Sequence, residues 1–167
     1  MRLAPKNAEA TFSAVLEIDI ARTPTDVNHL RLYRKTGEPI SKGDVLSLSF
    51  FARSIHSAND TGTGLITAAL QKDWRNRIFY REFSLGSEWK RYYLRAISPA
   101  DFSTGEATFS FLCGYRPQKI LIAEIKLINF GKQLRLNHLP AMPVTYRGMD
   151  AKAIWRKKAW QRRFQMP

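Results

Sequence analysis

An all-β fold, an antiparallel sandwich or jelly roll ending in a short C-terminal helix, is what this sequence predicts. Three observations point there. Apolar residues alternate with polar ones in about eight short runs, which is the period of a strand with one buried face. Clusters of Gly, Asp, Asn, Ser and Pro separate the runs at regular spacing. No helical period of useful length occurs before Asp150.

Each run supports the prediction in turn. In "TFSAVLEIDI" the residues Phe12, Ala14, Leu16, Ile18 and Ile20 are expected on one core face. "PTDVN" breaks the strand. "HLRLYRK" resumes the alternation, with Leu30 and Leu32 on one side and His29, Arg31 and Tyr33 on the other. "TGEPISKGD" is turn chemistry, and "VLSLSFFARSI" follows with Leu46, Leu48 and Phe50 facing one way. After the polar loop "HSANDTGTG" come "LITAALQ", "NRIFYREFSL", "WKRYYLRAI", "ATFSFLCGY" and "KILIAEIKLIN". The expected core includes Phe12, Leu16, Leu48, Phe50, Tyr92, Phe109 and Phe111. Asp150 is positioned to cap a final helix, with Ala151, Trp155 and Ala159 at i, i+4, i+8 as an apolar stripe on a basic back.

The chain has 167 residues, enough for one domain, and a net charge of +13. Six cations and no acid lie from Ala151 onward, which leaves +7 on the rest. Such a balance favours anionic partners: nucleic acid, anionic lipid or acidic polysaccharide. A single cysteine, Cys113, excludes an intrachain disulfide and reads as a buried thiol. No stretch is long enough to span a membrane, and "MRLAPKN" has no apolar signal core. His29, His56 and His138 are scattered, so no zinc site is expected. No nucleophile elbow, phosphate loop or dinucleotide fingerprint occurs, and no positioned acid pair is evident. The sequence therefore predicts no catalytic residues, no metal ligands and no cofactor.

Two stretches carry a resemblance. "ISKGDVLSLSFFARS", followed by "GSEWKRYYLRAISPADFSTGEATFSFLCGYRPQKILIAEIKLINFG", resembles the jelly-roll carbohydrate-binding modules of the family 4, 9 and 22 type, with the galactose-binding-like fold. A "GD" turn enters a strand ending in Ala-Arg, an "EW" strand follows, and the last strand runs into "NFG". "LPAMPVTYRGMDAKAIWRKKAWQRR" is similar to the linker and first helix before the catalytic barrel in bacterial relatives of family 10 glycoside hydrolases, the xylanase family. Tyr146, Gly148, Asp150, Trp155, Arg156, Ala159 and Arg162 match, while Arg163 and Phe164 depart.

The resemblance implies a sandwich module over residues 1–136, then a linker and terminal helix over 137–167 that would lead into a catalytic domain. It implies a non-catalytic role: targeting a glycoside hydrolase to plant-type β-glycan such as xylan. The basic face suits uronate-bearing chains, whose carboxylates Arg can pair. The parent protein would be secreted or on the cell surface, and no membrane partner is expected. Relatives often hold a structural calcium. Glu17 and Glu124 could supply oxygens, but Leu121 stands where relatives carry an acid, so the ion is not expected here.

Glycan modules stack sugar faces on exposed rings and bond hydroxyls with planar polar groups. Strand parity and loop position nominate Trp74, Tyr80, Tyr93 and Tyr115 as rings. His29, Arg31, Arg53, Arg116 and Gln118 are nominated as polar partners. Two other classes compete. One is a structural domain that packs on a catalytic partner and binds no sugar, favoured by "TDVNHLRL" where relatives carry a strand-start Trp. The other is a nucleic-acid-binding domain, resting on basic residues interleaved with Tyr and Trp; no recognised motif supports it, and nucleic acid is not the expected partner.

Overall fold

The computed structural model describes residues 2–3 and 12–142. Among the described residues nine strands form two antiparallel sheets: β1 (Arg2–Leu3), β2 (Val15–Ile20), β3 (Arg31–Lys35), β4 (Val45–Ser57), β5 (Gly64–Gln71), β6 (Arg77–Leu85), β7 (Lys90–Ile97), β8 (Thr108–Leu112) and β9 (Gln118–Asn129). One sheet has the order β1-β2-β9-β4-β7 and the other β3-β8-β5-β6. This is the all-β sandwich that the alternation predicts. The terminal helix expected after Asp150 lies outside the described residues.

The inward faces meet in one aromatic core. Phe50 on β4 stacks on Tyr92 of β7 at 5.3 Å and meets Phe83 and Phe111 of the other sheet edge-on at 5.4 and 4.9 Å. Leu48, Ile66, Leu70, Ile120 and Ile122 fill the space around these rings, all fully buried. Tilted ring pairs add about 0.5–1.5 kcal/mol each beyond the area they bury.

Two assignments in the first run are corrected, and of these Ala14 is exposed rather than buried. Phe12 does not share a face with Leu16, because β2 begins only at Val15 and Phe12 precedes it. Phe12 lies instead in a second cluster with Val15, Leu121, Ala123, Phe51 and Trp89. Cross-strand pairing of Val15 with Ala123, and of Ala123 with Phe51, places that cluster on the outward face of the five-stranded sheet.

The turns follow their residues. "PTDVN" holds a short 3-10 turn, Val27–His29, capped by Asp26, whose Oδ1 accepts the Asn28 N–H at 2.8 Å. In "SKGD", Gly43 takes φ +89, and Asp44 Oδ2 accepts both the Ser41 N–H and the Asn129 side chain at 2.9 Å. These bonds, the Asn129 amide first, hold the Asp44 carboxyl below its ordinary pKa. Asp44 thus ties the start of β4 to the end of β9. A Cβ on Gly114 would stand 2.8 Å from the Pro24 side chain, so only glycine lets the β8–β9 turn pass that loop. Past β9, Arg95 of β7 donates to the carbonyls of Leu136 and Leu139 at 2.8 and 2.7 Å, which fastens that segment to the sheet edge.

Candidate functional site

The outward face of the four-stranded sheet is a small lattice, built directly from its register. Pairing runs β3 to β8, β8 to β5, and β5 to β6. The first row is Arg31, Leu112, Thr67 and Glu82; the second is Tyr33, Ser110, Ala69 and Tyr80. The third is Lys35, Thr108, Gln71 and Arg77, the last pair set by a register shift after Leu70. Three strand spacings separate Tyr33 from Tyr80, about 14 Å between backbones.

In the second row the two central strands carry small side chains, and the edge strands carry large ones. That asymmetry shapes the surface. Thr67 and Ala69 are wholly buried and Ser110 nearly so, although all three point outward. Large neighbours therefore overlie the floor, while Tyr33 and Tyr80 keep 59% and 43% of their own surface. Small floor residues let flanking rings lie down against a sheet, and so present flat apolar area at low entropic cost.

Tyr115, in the β8–β9 turn, reaches over the first row. Its hydroxyl hydrogen-bonds that of Thr67. Burial pushes the Tyr115 hydroxyl up to about 12; the Thr67 bond pulls the other way, and nearby Tyr80 and Glu82 raise it further. In the third row, Gln71 Oε1 is buried with no hydrogen-bond partner among the described residues, an acceptor left over in the fold. Beyond that row Lys72 pairs with Glu106, joining the β5–β6 loop to the turn before β8. Asp73 accepts the N–H groups of Arg75 and Asn76 at 2.8 and 2.9 Å and fixes the loop that presents Trp74, 66% exposed. Among the described residues no three His, Cys, Asp or Glu converge as metal ligands. Glu17 is ion-paired with Lys119 at 3.0 Å.

The nominated residues divide. Arg31 and Tyr80 lie on the lattice, Tyr115 overlies it, Arg116 follows Tyr115 half-buried, and Trp74 tops the loop at the third-row end. His29 is exposed at the end of the 3-10 turn that leads into β3. Arg53 and Tyr93 are on the opposite sheet's outward face, paired with Leu121 and Ser49, so they cannot act with the others on one ligand. Gln118 is corrected outright. It is 1% exposed; its Nε2 donates to the carbonyls of Leu65 and Cys113 and its Oε1 accepts the Leu65 N–H, all at 2.8 Å. It is a clamp between the sheets with nothing left for a ligand. Tyr33, Lys35, Gln71, Arg77 and Thr108 were not nominated. The alternation in "HLRLYRK" set Tyr33 beside Arg31 and was the signal available for it; the others needed the register.

No family model matches the sequence, and no curated protein does. Solved structures do match in fold. A module described by "CBM4 structure and function", a family 4 carbohydrate-binding module, superposes with a TM-score of 0.58 at 18% identity, over 71% of this chain and 73% of its own. The unliganded carbohydrate-binding module of PbXyn10C gives 0.55 at 15% identity, over 75% and 72%. The second N-terminal cellulose-binding domain of β-1,4-glucanase C from Cellulomonas fimi gives 0.51 at 16% identity, over 69% and 75%.

Proposed function

We propose that this chain, which has the jelly-roll fold of those carbohydrate-binding modules, is itself a non-catalytic glycan-binding module. Its ligand is a plant-type β-glycan such as xylan, uronate-bearing chains included, and its role is to hold a glycoside hydrolase on that polymer. The observation that carries this reading is the second row of the lattice, where two exposed tyrosines flank a floor of Ser110 and Ala69. Sugars offer flat C–H faces to rings and a rim of hydroxyls to polar groups. Thr108, beside the row, supplies a hydroxyl for such a rim. Tyr33, Tyr80 and Trp74 form the apolar surface, and Tyr115 with Thr67 closes one side.

The test is retardation in gels containing xylan, β-glucan or pectin, against a control protein, with the natural chain and the Tyr33→Ala and Tyr80→Ala variants. Each ring removed is expected to weaken binding by about 5- to 150-fold, corresponding to roughly 1–3 kcal/mol for an aromatic anchor, while thermal melting stays unchanged. Absence of retardation by every polymer would remove this reading and leave that of a structural domain packing on a catalytic partner.

A further inference from the structure

The three exposed rings of the open face share a feature. Arg31 Cζ stands 5.0 Å from the centroid of Tyr33, Arg75 Cζ 4.5 Å from Trp74, and Arg77 Cζ 4.5 Å from Tyr80. A ring has two faces, and on each of these a guanidinium already takes one. Among the described residues none of the three arginines lies within ion-pair distance of a carboxylate; the ion pairs there use Lys72 and Lys119. All three arginines are exposed.

We propose that these arginines are a specificity filter that makes a uronate-bearing β-glycan the preferred ligand over its neutral counterpart. The inference rests on the glycan-binding reading above. A neutral chain that stacks on Tyr33 or Tyr80 must compete with a guanidinium for ring surface and gains little in return. A chain bearing carboxylates offers the guanidinium a bidentate partner. The arginine then leaves or tilts from the ring toward the acid, and ring and charge are both used by one ligand. The face suits this at opposite corners, with Arg31 in the first row on β3 and Arg77 in the third row on β6. Lys35, at the other end of the third row from Arg77, adds further positive charge. Glu82 occupies the remaining first-row corner and disfavours an acid there.

The experiment measures affinity by titration calorimetry for glucuronoxylan and for the same polymer after carboxyl reduction. It compares the natural chain with the triple variant Arg31→Gln, Arg75→Gln, Arg77→Gln. A matched control, Lys90→Gln, Arg91→Gln, Lys126→Gln, removes the same charge from the five-stranded sheet. The natural chain is expected to prefer the acidic polymer by about 3- to 30-fold, the combined effect of a few exposed charge pairs. The triple variant is expected to bring the ratio of acidic to neutral affinity close to one, by losing acidic and gaining neutral affinity. The control is expected to keep at least half of the preference. No preference in the natural chain, a ratio unmoved in the triple variant, a parallel loss of both polymers, or an equal fall in the control would each overturn the proposal. Failure of the natural chain to bind either polymer would instead remove the glycan-binding reading beneath it.

Discussion

On the five-stranded sheet the outward positions of β4 and β9 include Phe51, Leu121 and Ala123; on the four-stranded sheet the centre of the outward face of β5 and β8 is Thr67, Ala69 and Ser110, with Leu112 at its first-row end. Apolar bulk on the first face needs a cover. Phe12 supplies it, with its ring 5.0 Å from Phe51 and 4.7 Å from Trp89, while Arg53 lies over Trp89 at 5.3 Å. Small and polar residues on the second face need none, and the edge tyrosines there keep their surface. Both faces hold rings beside arginines. What separates them is whether the rings face a neighbour from the same chain or the solvent. Aromatic and cationic residues occur on both faces alike; their cover is what differs.

The largest effect is expected where the two sheets are tied together. Gln118→Ala strands the Leu65 N–H and the carbonyls of Leu65 and Cys113 in a buried place. At about 1–3 kcal/mol for each group left unpaired, with some relaxation, the loss of folding stability should be roughly 4 kcal/mol. Urea unfolding with constant slope reads it. Glycan affinity per folded molecule should not change. A variant of natural stability that has lost binding would return Gln118 to the ligand surface and break the division between clamp and face.

That residue also shows what could be read in advance. The alternation in "VLSLSFFARSI" and "WKRYYLRAI" places Phe50 and Tyr92 inward correctly, because period-two burial is local. Gln118 was misjudged because "GYRPQ" reads as an exposed turn, and nothing local reveals that its side chain bridges to Leu65, 53 positions away. The row Tyr33, Ser110, Ala69, Tyr80 joins four distant segments, and its existence depends on the strand order β3-β8-β5-β6. "LITAALQ" has no sequence signal for an open floor. Its small outward residues became a floor only when both neighbours were known. Arg53 and Tyr93 had the right chemistry and parity but the wrong sheet, which parity cannot tell.

A smaller effect sharpens the contrast from the covered side. Trp89→Ala removes a half-buried ring from the Phe12 cluster and uncovers Phe51. The cost should be about 3 kcal/mol, the low end for a buried aromatic because the indole keeps some solvent contact. Retardation by xylan should stay as in the natural chain. Lost binding with an unchanged melting temperature would mean that the face covered by Phe12 is the one that meets polymer.

The smallest effect belongs to the open face alone and appears with alkali. Tyr115 keeps its proton more tightly in the folded chain, with its hydroxyl pushed up to about 12 from an ordinary value near 10. A group with a raised folded pKa stabilises the fold fully below the unfolded value, and that contribution drains away as pH rises from about 10 toward about 12. Cys113, pushed by burial to about 12, and Tyr92, raised by burial, act in the same window and the same direction. They are common to any variant at position 115. Tyr115→Phe lacks the bond to Thr67, so at neutral pH it should be less stable by about 0.5–1.5 kcal/mol, the worth of one hydrogen bond. Its melting temperature should then fall less steeply with alkali than that of the natural chain, and the two curves should converge between pH 10 and 12. Parallel curves would show that Tyr115 is no more burdened by its surroundings than a free phenol. It would then be a loose neighbour of Thr67, and the first row would be as open as the rest of the face.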